Sequence, residues 1–210
     1  MQGIYIQLLG CVTLVISSFA FGVLLKKYPS KSLAVKITVI IYIVFICAYF
    51  IPLFYVLFGP NFTHYDLMIG IPLSGFQTVF KIVGTVMSLL GIFFILVSFY
   101  ALAISGRGLP AFLLSQKLAT EGIYTFTRNP MSLGFYILII AGGLLKGSIF
   151  FILWSLIVII PTHICFLKFF EERELESRIG QPYIDYKKRV PFLIPNFRNI
   201  SKLETRNSDV

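Results

Sequence analysis

The chain has 210 residues, of which 57% are hydrophobic and only 13% are Asp, Glu, Lys or Arg. Soluble domains carry about 25% charged and roughly 45–50% apolar residues, so this composition excludes an ordinary soluble globule and a disordered chain. Three cysteines cannot staple a small secreted fold, and a net charge of +9 in so apolar a chain points first to membrane orientation rather than nucleic acid.

A spanning helix needs about 20 mostly apolar residues to cross roughly 30 Å of hydrocarbon. Ile4 to Leu25 is an uncharged run of that kind, closed by Lys26 and Lys27. It is too long for a signal-peptide core and has no basic segment before it, so it reads as a retained first helix. Ile37 to Phe58 is the second, with Pro52 late in it. Val79 to Ser105 is the third, with Lys81 as its only charge. Met131 to Leu145 is apolar but short, about 22 Å at the helical rise. Lys146-Gly147 then makes a tight break before the fifth run, Ser148 to Leu167. The short fourth helix, the turn and the fifth helix read as a transmembrane hairpin.

Charge orients these segments. Lys26, Lys27, Lys31 and Lys36 follow helix one, and the connection Gly59 to Thr78 has no Lys or Arg. Arg107, Lys117 and Arg128 lie between helices three and four, and nine Lys or Arg follow helix five. Alternate loops are thus rich and poor in basic residues, with 16 of 18 on one side, as the positive-inside rule requires. The expected fold is all-α: a polytopic membrane protein of five transmembrane helices, N-terminus outside and C-terminus cytoplasmic, with short cytoplasmic C-terminal helices. Residues 1–105 hold three N-terminal helices, 106–195 the catalytic region, and 196–210 a polar tail. Asn61-Phe62-Thr63 is a glycosylation sequon on the expected outer side, a tripeptide common by chance.

Four features cluster on the cytoplasmic side. Gly106-Arg107-Gly108-Leu109-Pro110 after helix three is either a helix end with a turn or a close backbone approach to a ligand. Pro130 suits the first position of helix four, with Asn129 as its cap. A helix start beside Arg128 also makes an anion site, while the bland reading of Arg128 is a snorkelling anchor. Glu171-Glu172-Arg173-Glu174-Leu175-Glu176 ends helix five, where carboxylates oppose the dipole. Either the helix continues to about Ile179, or the carboxylates face a cation. Gly180 fits a helix C-cap and Pro182 the first turn of a new short helix. Tyr183 and Tyr186 then share one face, as membrane-interface residues or as a lid whose rings cover a cationic ligand. His163 with Cys165 is too sparse for a metal site.

In order and spacing these features resemble the isoprenylcysteine carboxyl methyltransferase-like family, which is related to the membrane phospholipid methyltransferases. The resemblance runs from about Gly106 to Pro195. It rests on Gly106-Arg107-Gly108-Leu109-Pro110, Gly122-Ile123-Tyr124, Arg128-Asn129-Pro130-Met131-Ser132-Leu133-Gly134 and Glu171-Glu172-Arg173-Glu174-Leu175. It closes on Gly180-Gln181-Pro182-Tyr183-Ile184-Asp185-Tyr186 and Val190-Pro191-Phe192-Leu193-Ile194-Pro195. Asn129 stands where the carboxyl methyltransferases usually have His, and Ser132 where Tyr is common.

The resemblance implies a membrane-embedded methyltransferase that uses S-adenosyl-L-methionine at the cytoplasmic face, in a bacterial inner membrane. Its lipophilic or lipidated substrate would enter from the bilayer. Arg128, Asn129 and Pro130 would hold the methionine end of the cofactor, with Tyr124 and Gly134 close by. Glu171 and Glu172 would receive its ammonium or ribose hydroxyls, and Tyr183 and Tyr186 would cover it. Arg173 would orient a carboxylate acceptor, and Glu172 or Glu171 would assist an amine acceptor in losing its proton. Three alternatives stand beside this reading: a phospholipid amine N-methyltransferase, an NADPH-dependent enzyme like the sterol reductases, and a non-enzymatic membrane scaffold.

Overall fold

The computed structural model describes residues 2–59, 62–70, 76–106 and 118–195. Arg107 to Pro110, Asn61, Lys117 and the tail 196–210 lie outside the described residues. All regular structure among the described residues is helical. Four helices are long and apolar enough to cross a membrane: α1 (Gln2–Lys27), α2 (Lys31–Phe58), α4 (Gln77–Ile104) and α6 (Ile149–Ile179). A short helix α3 (Thr63–Ile69) lies between α2 and α4. The expected short fourth crossing is α5 (Pro130–Lys146), and α7 (Gln181–Arg189) ends the described helices.

Two boundaries differ from the apolar runs. Helix α2 starts at Lys31 rather than Ile37, because the Ser30 side chain accepts from Leu33 N–H and caps a turn the hydropathy pattern does not mark. Helix α6 continues to Ile179, well past Leu167. Its charged last turns are stitched by pairs three and four residues apart: Arg173 to Glu176 at 2.8 Å, and Arg178 to Glu174. Gly180 then ends it with φ of 76°, its N–H donating to Glu176 O.

The described chain divides into two compact units, Met1–Leu89 with Tyr136–Gly180, and Leu90–Phe135 with Gln181–Val210. In the first, α1 meets its neighbours backbone to backbone. A Cβ on Gly10 would stand 1.5 Å from Ala48 O, and one on Gly22 would stand 1.9 Å from Phe169 O. Small residues permit such contacts in membrane bundles. Pro52 has no N–H for the Ala48 carbonyl four residues back, and just before it α2 widens into a π-type turn over Phe45–Phe50. Helix α6 repeats this before Pro161, over Ser155–Ile159. A further π-type turn, Leu167–Glu171, has no proline after it within the helix.

The interior of this unit is aromatic. Phe45 stacks on Phe166 at 5.0 Å, Phe166 on Phe170 at 5.8 Å, and His163 lies among Phe45, Tyr49, Tyr136 and Phe166. The Tyr49 hydroxyl donates to Ile159 O at 2.9 Å, tying α2 to α6. Helix α3 docks on the turn between α5 and α6. Asp66 Oδ1 accepts from Ser148 Oγ at 3.1 Å and from Phe150 N–H at 2.8 Å, while Tyr65 stacks on Phe150 at 4.5 Å. A carboxylate at the start of α6 favours the positive end of its dipole.

In the second unit the first turns of α5 lie against α4. A Cβ on Gly134 would meet Gly91 O at 2.7 Å and Phe94 Cβ at 2.9 Å. Large apolar side chains stand exposed along α4, among them Ile82, Val86, Leu89, Phe93, Leu96 and Tyr100. Such a stripe would be costly in water and suits hydrocarbon.

Candidate functional site

The candidate residues fall into two sets, one on each unit. In the second unit the chain enters through a 3-10 turn, Gly122–Thr125, begun by Gly122 at φ of 59°. The Thr125 hydroxyl donates to Gly122 O at 2.8 Å and closes the turn. Thr127, Arg128 and Asn129 then lead into α5. Asn129 occupies the capping position expected for it, since its carbonyl accepts from Leu133 N–H at 3.1 Å. Pro130 follows as the first helical residue, where its missing N–H costs nothing.

A strap from α7 onward is fastened to this segment. Arg128 N–H donates to Pro191 O at 2.9 Å. Asn129 Nδ2 donates to Phe192 O at 2.8 Å, and Thr127 Oγ1 donates to the same oxygen at 3.3 Å. The Arg128 guanidinium lies over the Phe192 ring, 5.7 Å from its centroid. The Tyr186 hydroxyl donates to Tyr124 O at 2.7 Å. Tyr183 and Tyr186 share a face, as their spacing requires, with centroids 6.3 Å apart and each residue only 3% exposed. Burial pushes the Tyr186 phenol above its usual range, against the pull of Arg128. Asp185, on the exposed side of α7, is held below the usual carboxylate range by hydrogen bonds from Lys188 and Gln181.

In the first unit the acidic set lies on α6. Glu171 closes the π-type turn and Glu172 opens the helix after it, 8% exposed. Glu174 and Arg178 form an ion pair with side chains 4% and 8% exposed. Arg173 pairs with Glu176 and its side chain is 41% exposed.

The structure thus brings Tyr124, Arg128, Asn129, Pro130 and Tyr186 together and places Tyr183 beside Tyr186. Glu171, Glu172 and Arg173 are consecutive on α6. Gly134 has a packing reason to be glycine, its contact with α4. Sequence reasoning missed Thr127 and Phe192, whose bonds run through backbone carbonyls that any residue offers. It also missed the Glu174–Arg178 pair, which its four-residue spacing could have signalled.

Taken separately, each set carries groups of the kind that the cofactor implied by the motifs would need. A guanidinium beside a helix N-terminus suits a carboxylate, and buried carboxylates suit an ammonium or ribose hydroxyls. The tyrosine rings suit a sulfonium by their faces, the Tyr186 hydroxyl being committed to Tyr124.

Comparison with known proteins bears on the same region. The sequence profile of the phospholipid methyltransferase family matches residues 79–181. Methanethiol S-methyltransferase 2 of Bradyrhizobium diazoefficiens is 31% identical over 94 residues, which is 44% of this chain and 34% of that protein. The chain therefore spans about a third of the length of this curated relative. No solved structure matches. The matched residues include Tyr124, the Arg128–Pro130 helix start and the Glu171–Glu172 pair. Residues 79–181 thus resemble the membrane methyltransferases of the phospholipid methyltransferase family, and the four long apolar helices mark an integral membrane protein.

Proposed function

We propose that the chain is an S-adenosyl-L-methionine-dependent methyltransferase acting on a lipophilic acceptor that reaches it from the bilayer. The observation that carries the reading is the helix start at Asn129–Pro130 with Arg128 beside it, inside the family-matched region and fastened under the strap. In this reading α5 completes a five-helix crossing, the N-terminus lies outside, and residues 106–195 form the catalytic region on the cytoplasmic face of a bacterial inner membrane. Arg128, Asn129 and Pro130 hold the carboxylate end of the cofactor, with Tyr124 beside them. Glu171 and Glu172 receive its ammonium or ribose hydroxyls, and Tyr183 and Tyr186 form the cover.

The cofactor supplies an electrophilic methyl group on a sulfonium. What the protein adds is alignment and exclusion of water, which in-line displacement needs more than an acid or base. The strap contributes both, since it closes over the Arg128 segment and leaves the tyrosine faces buried. A carboxylate acceptor brings no proton to remove, and Arg173 would orient it in exchange for its Glu176 partner. A thiol, as the relative's name suggests, or an amine must lose a proton, which Glu171 or Glu172 takes.

The detergent-solubilised protein is expected to bind S-adenosylhomocysteine, and Arg128→Ala or Glu172→Ala to abolish that binding in calorimetry. Unchanged binding in both variants would sink the site assignment. Radiolabelled methyl transfer to total lipid extract, prenylcysteine analogues, amines and small thiols then identifies the acceptor by which fraction takes label.

A further inference from the structure

Arg128 is flanked by two residues that hold one carbonyl. Thr127 Oγ1 on one side and Asn129 Nδ2 on the other both donate to Phe192 O, at 3.3 and 2.8 Å. Arg128 itself donates its backbone N–H to the preceding carbonyl, Pro191 O, at 2.9 Å. Three successive residues therefore fix the backbone of residues 191 and 192. What this fixes next to Arg128 is the Phe192 ring, under the guanidinium at 5.7 Å from carbon Cζ. That separation is within the range of a cation–π contact, which acts on the face of the guanidinium and not on its edge. A long arginine side chain has about 2 kcal/mol of rotamer entropy to lose on binding an anion, and a ring that holds it in one plane removes part of that cost. Phe192 lies beyond the family-matched residues 79–181.

We propose that Phe192 is a positioning residue, whose ring holds the Arg128 guanidinium in the plane in which it receives the carboxylate of the cofactor. The inference rests on the proposed function, which makes Arg128 the carboxylate ligand. It separates the strap's two tasks: hydrogen bonds to the 191 and 192 carbonyls close it, and the Phe192 ring orients the ligand-binding group.

The test compares two ligands on the full chain in detergent micelles. S-adenosylhomocysteine carries the amino-acid carboxylate, whereas 5′-methylthioadenosine lacks it. Phe192→Leu is expected to weaken S-adenosylhomocysteine by roughly 3- to 30-fold, the range of one cation–π contact, and to leave 5′-methylthioadenosine unchanged. Phe192→Tyr, which keeps the ring face, restores wild-type affinity. Phe192→Met repeats the measurement if Leu impairs folding, judged by the melting transition. Equal weakening of both ligands makes the ring a part of the closure alone and overturns the inference, as does no weakening of either. A wild-type protein that binds neither ligand overturns the proposed function and this inference together. Loss in Arg128→Ala with none in Phe192→Leu overturns only the inference.

Discussion

Tyr186 joins the strap to the Gly122–Thr125 turn through its hydroxyl, which donates to Tyr124 O at 2.7 Å. Because burial raises its phenol pKa, the folded chain keeps this proton at a pH where an unfolded chain has begun to release it. Its contribution to stability is therefore complete below the usual phenol value of 10 and declines as pH rises above it. Tyr186→Phe removes both the bond and the titration. It is expected to cost about 0.5–1.5 kcal/mol at neutral pH. Thermal melting followed from neutral to strongly alkaline pH should show the gap between wild type and variant narrowing at the alkaline end. A constant gap would mean that Tyr186 ionises as freely in the fold as out of it. At this scale the sequence was informative where a side chain has a distinctive chemistry, as at Arg128 and the Glu171–Glu172 pair. It was silent on Thr127 and Phe192. Their partnership is a hydroxyl and an amide meeting a carbonyl more than sixty residues away, which no local pattern encodes.

Helices are where the sequence was most legible, since uncharged runs of about 20 residues admit few structures but a spanning helix. All five expected runs are helical. Their ends were less legible, for a physical reason. Hydropathy marks where hydrocarbon stops, and a helix stops where its terminal N–H and C=O groups find other partners. Thus α6 runs on through its charged segment on Arg173–Glu176 and Arg178–Glu174 pairing, and Gly180 ends it. The close approach of α1 was also hidden, because Gly10 is one glycine among 16 until a neighbour is known. A methyl group there meets the Ala48 carbonyl, a backbone atom that cannot swing aside. Gly10→Ala is expected to destabilise the protein by about 1–3 kcal/mol, as overpacking does. At Gly84 an added Cβ would stand 3.0 Å from the flexible Leu145 side chain, so Gly84→Ala should cost less. Melting of the two variants in the same detergent checks the order, and a reversed order would contradict the packing of α1 on α2.

Over the whole molecule, composition indicated the solvent and charge placement suggested the direction. The 16 basic residues in alternate connections are expected to put both Lys31 and Val210 in the cytoplasm and the 59–76 connection outside. A fluorescent reporter that matures only in the cytoplasm should light up when fused after Val210, and one inserted near Gly70 should stay dark. The opposite pattern would reverse the proposed site to the outer face. The division into two interleaved units was not legible, because each unit joins segments from distant parts of the chain. Sequence order alone separates what folding puts side by side.

The π-type turn at Leu167–Glu171 carries an extra residue relative to the α-helical path it interrupts. It therefore acts as a phase setting for everything after it on α6. Were the turn to tighten to α-helical pitch with all its residues kept, each downstream side chain would rotate by about 100° around the axis. Glu172, now 8% exposed, would leave its buried azimuth although no functional residue had been altered. Inserting an alanine after Lys168, which the turn cannot absorb, is accordingly expected to abolish S-adenosylhomocysteine binding while circular dichroism stays helical, whereas deleting Lys168, which lets the turn close to an α-helical one, keeps binding. Equal behaviour of the two variants would show that the phase is not what matters. The bearing of the glutamates is thus written in a count of residues, a property that substitution scanning leaves untouched and that a single codon gained would change.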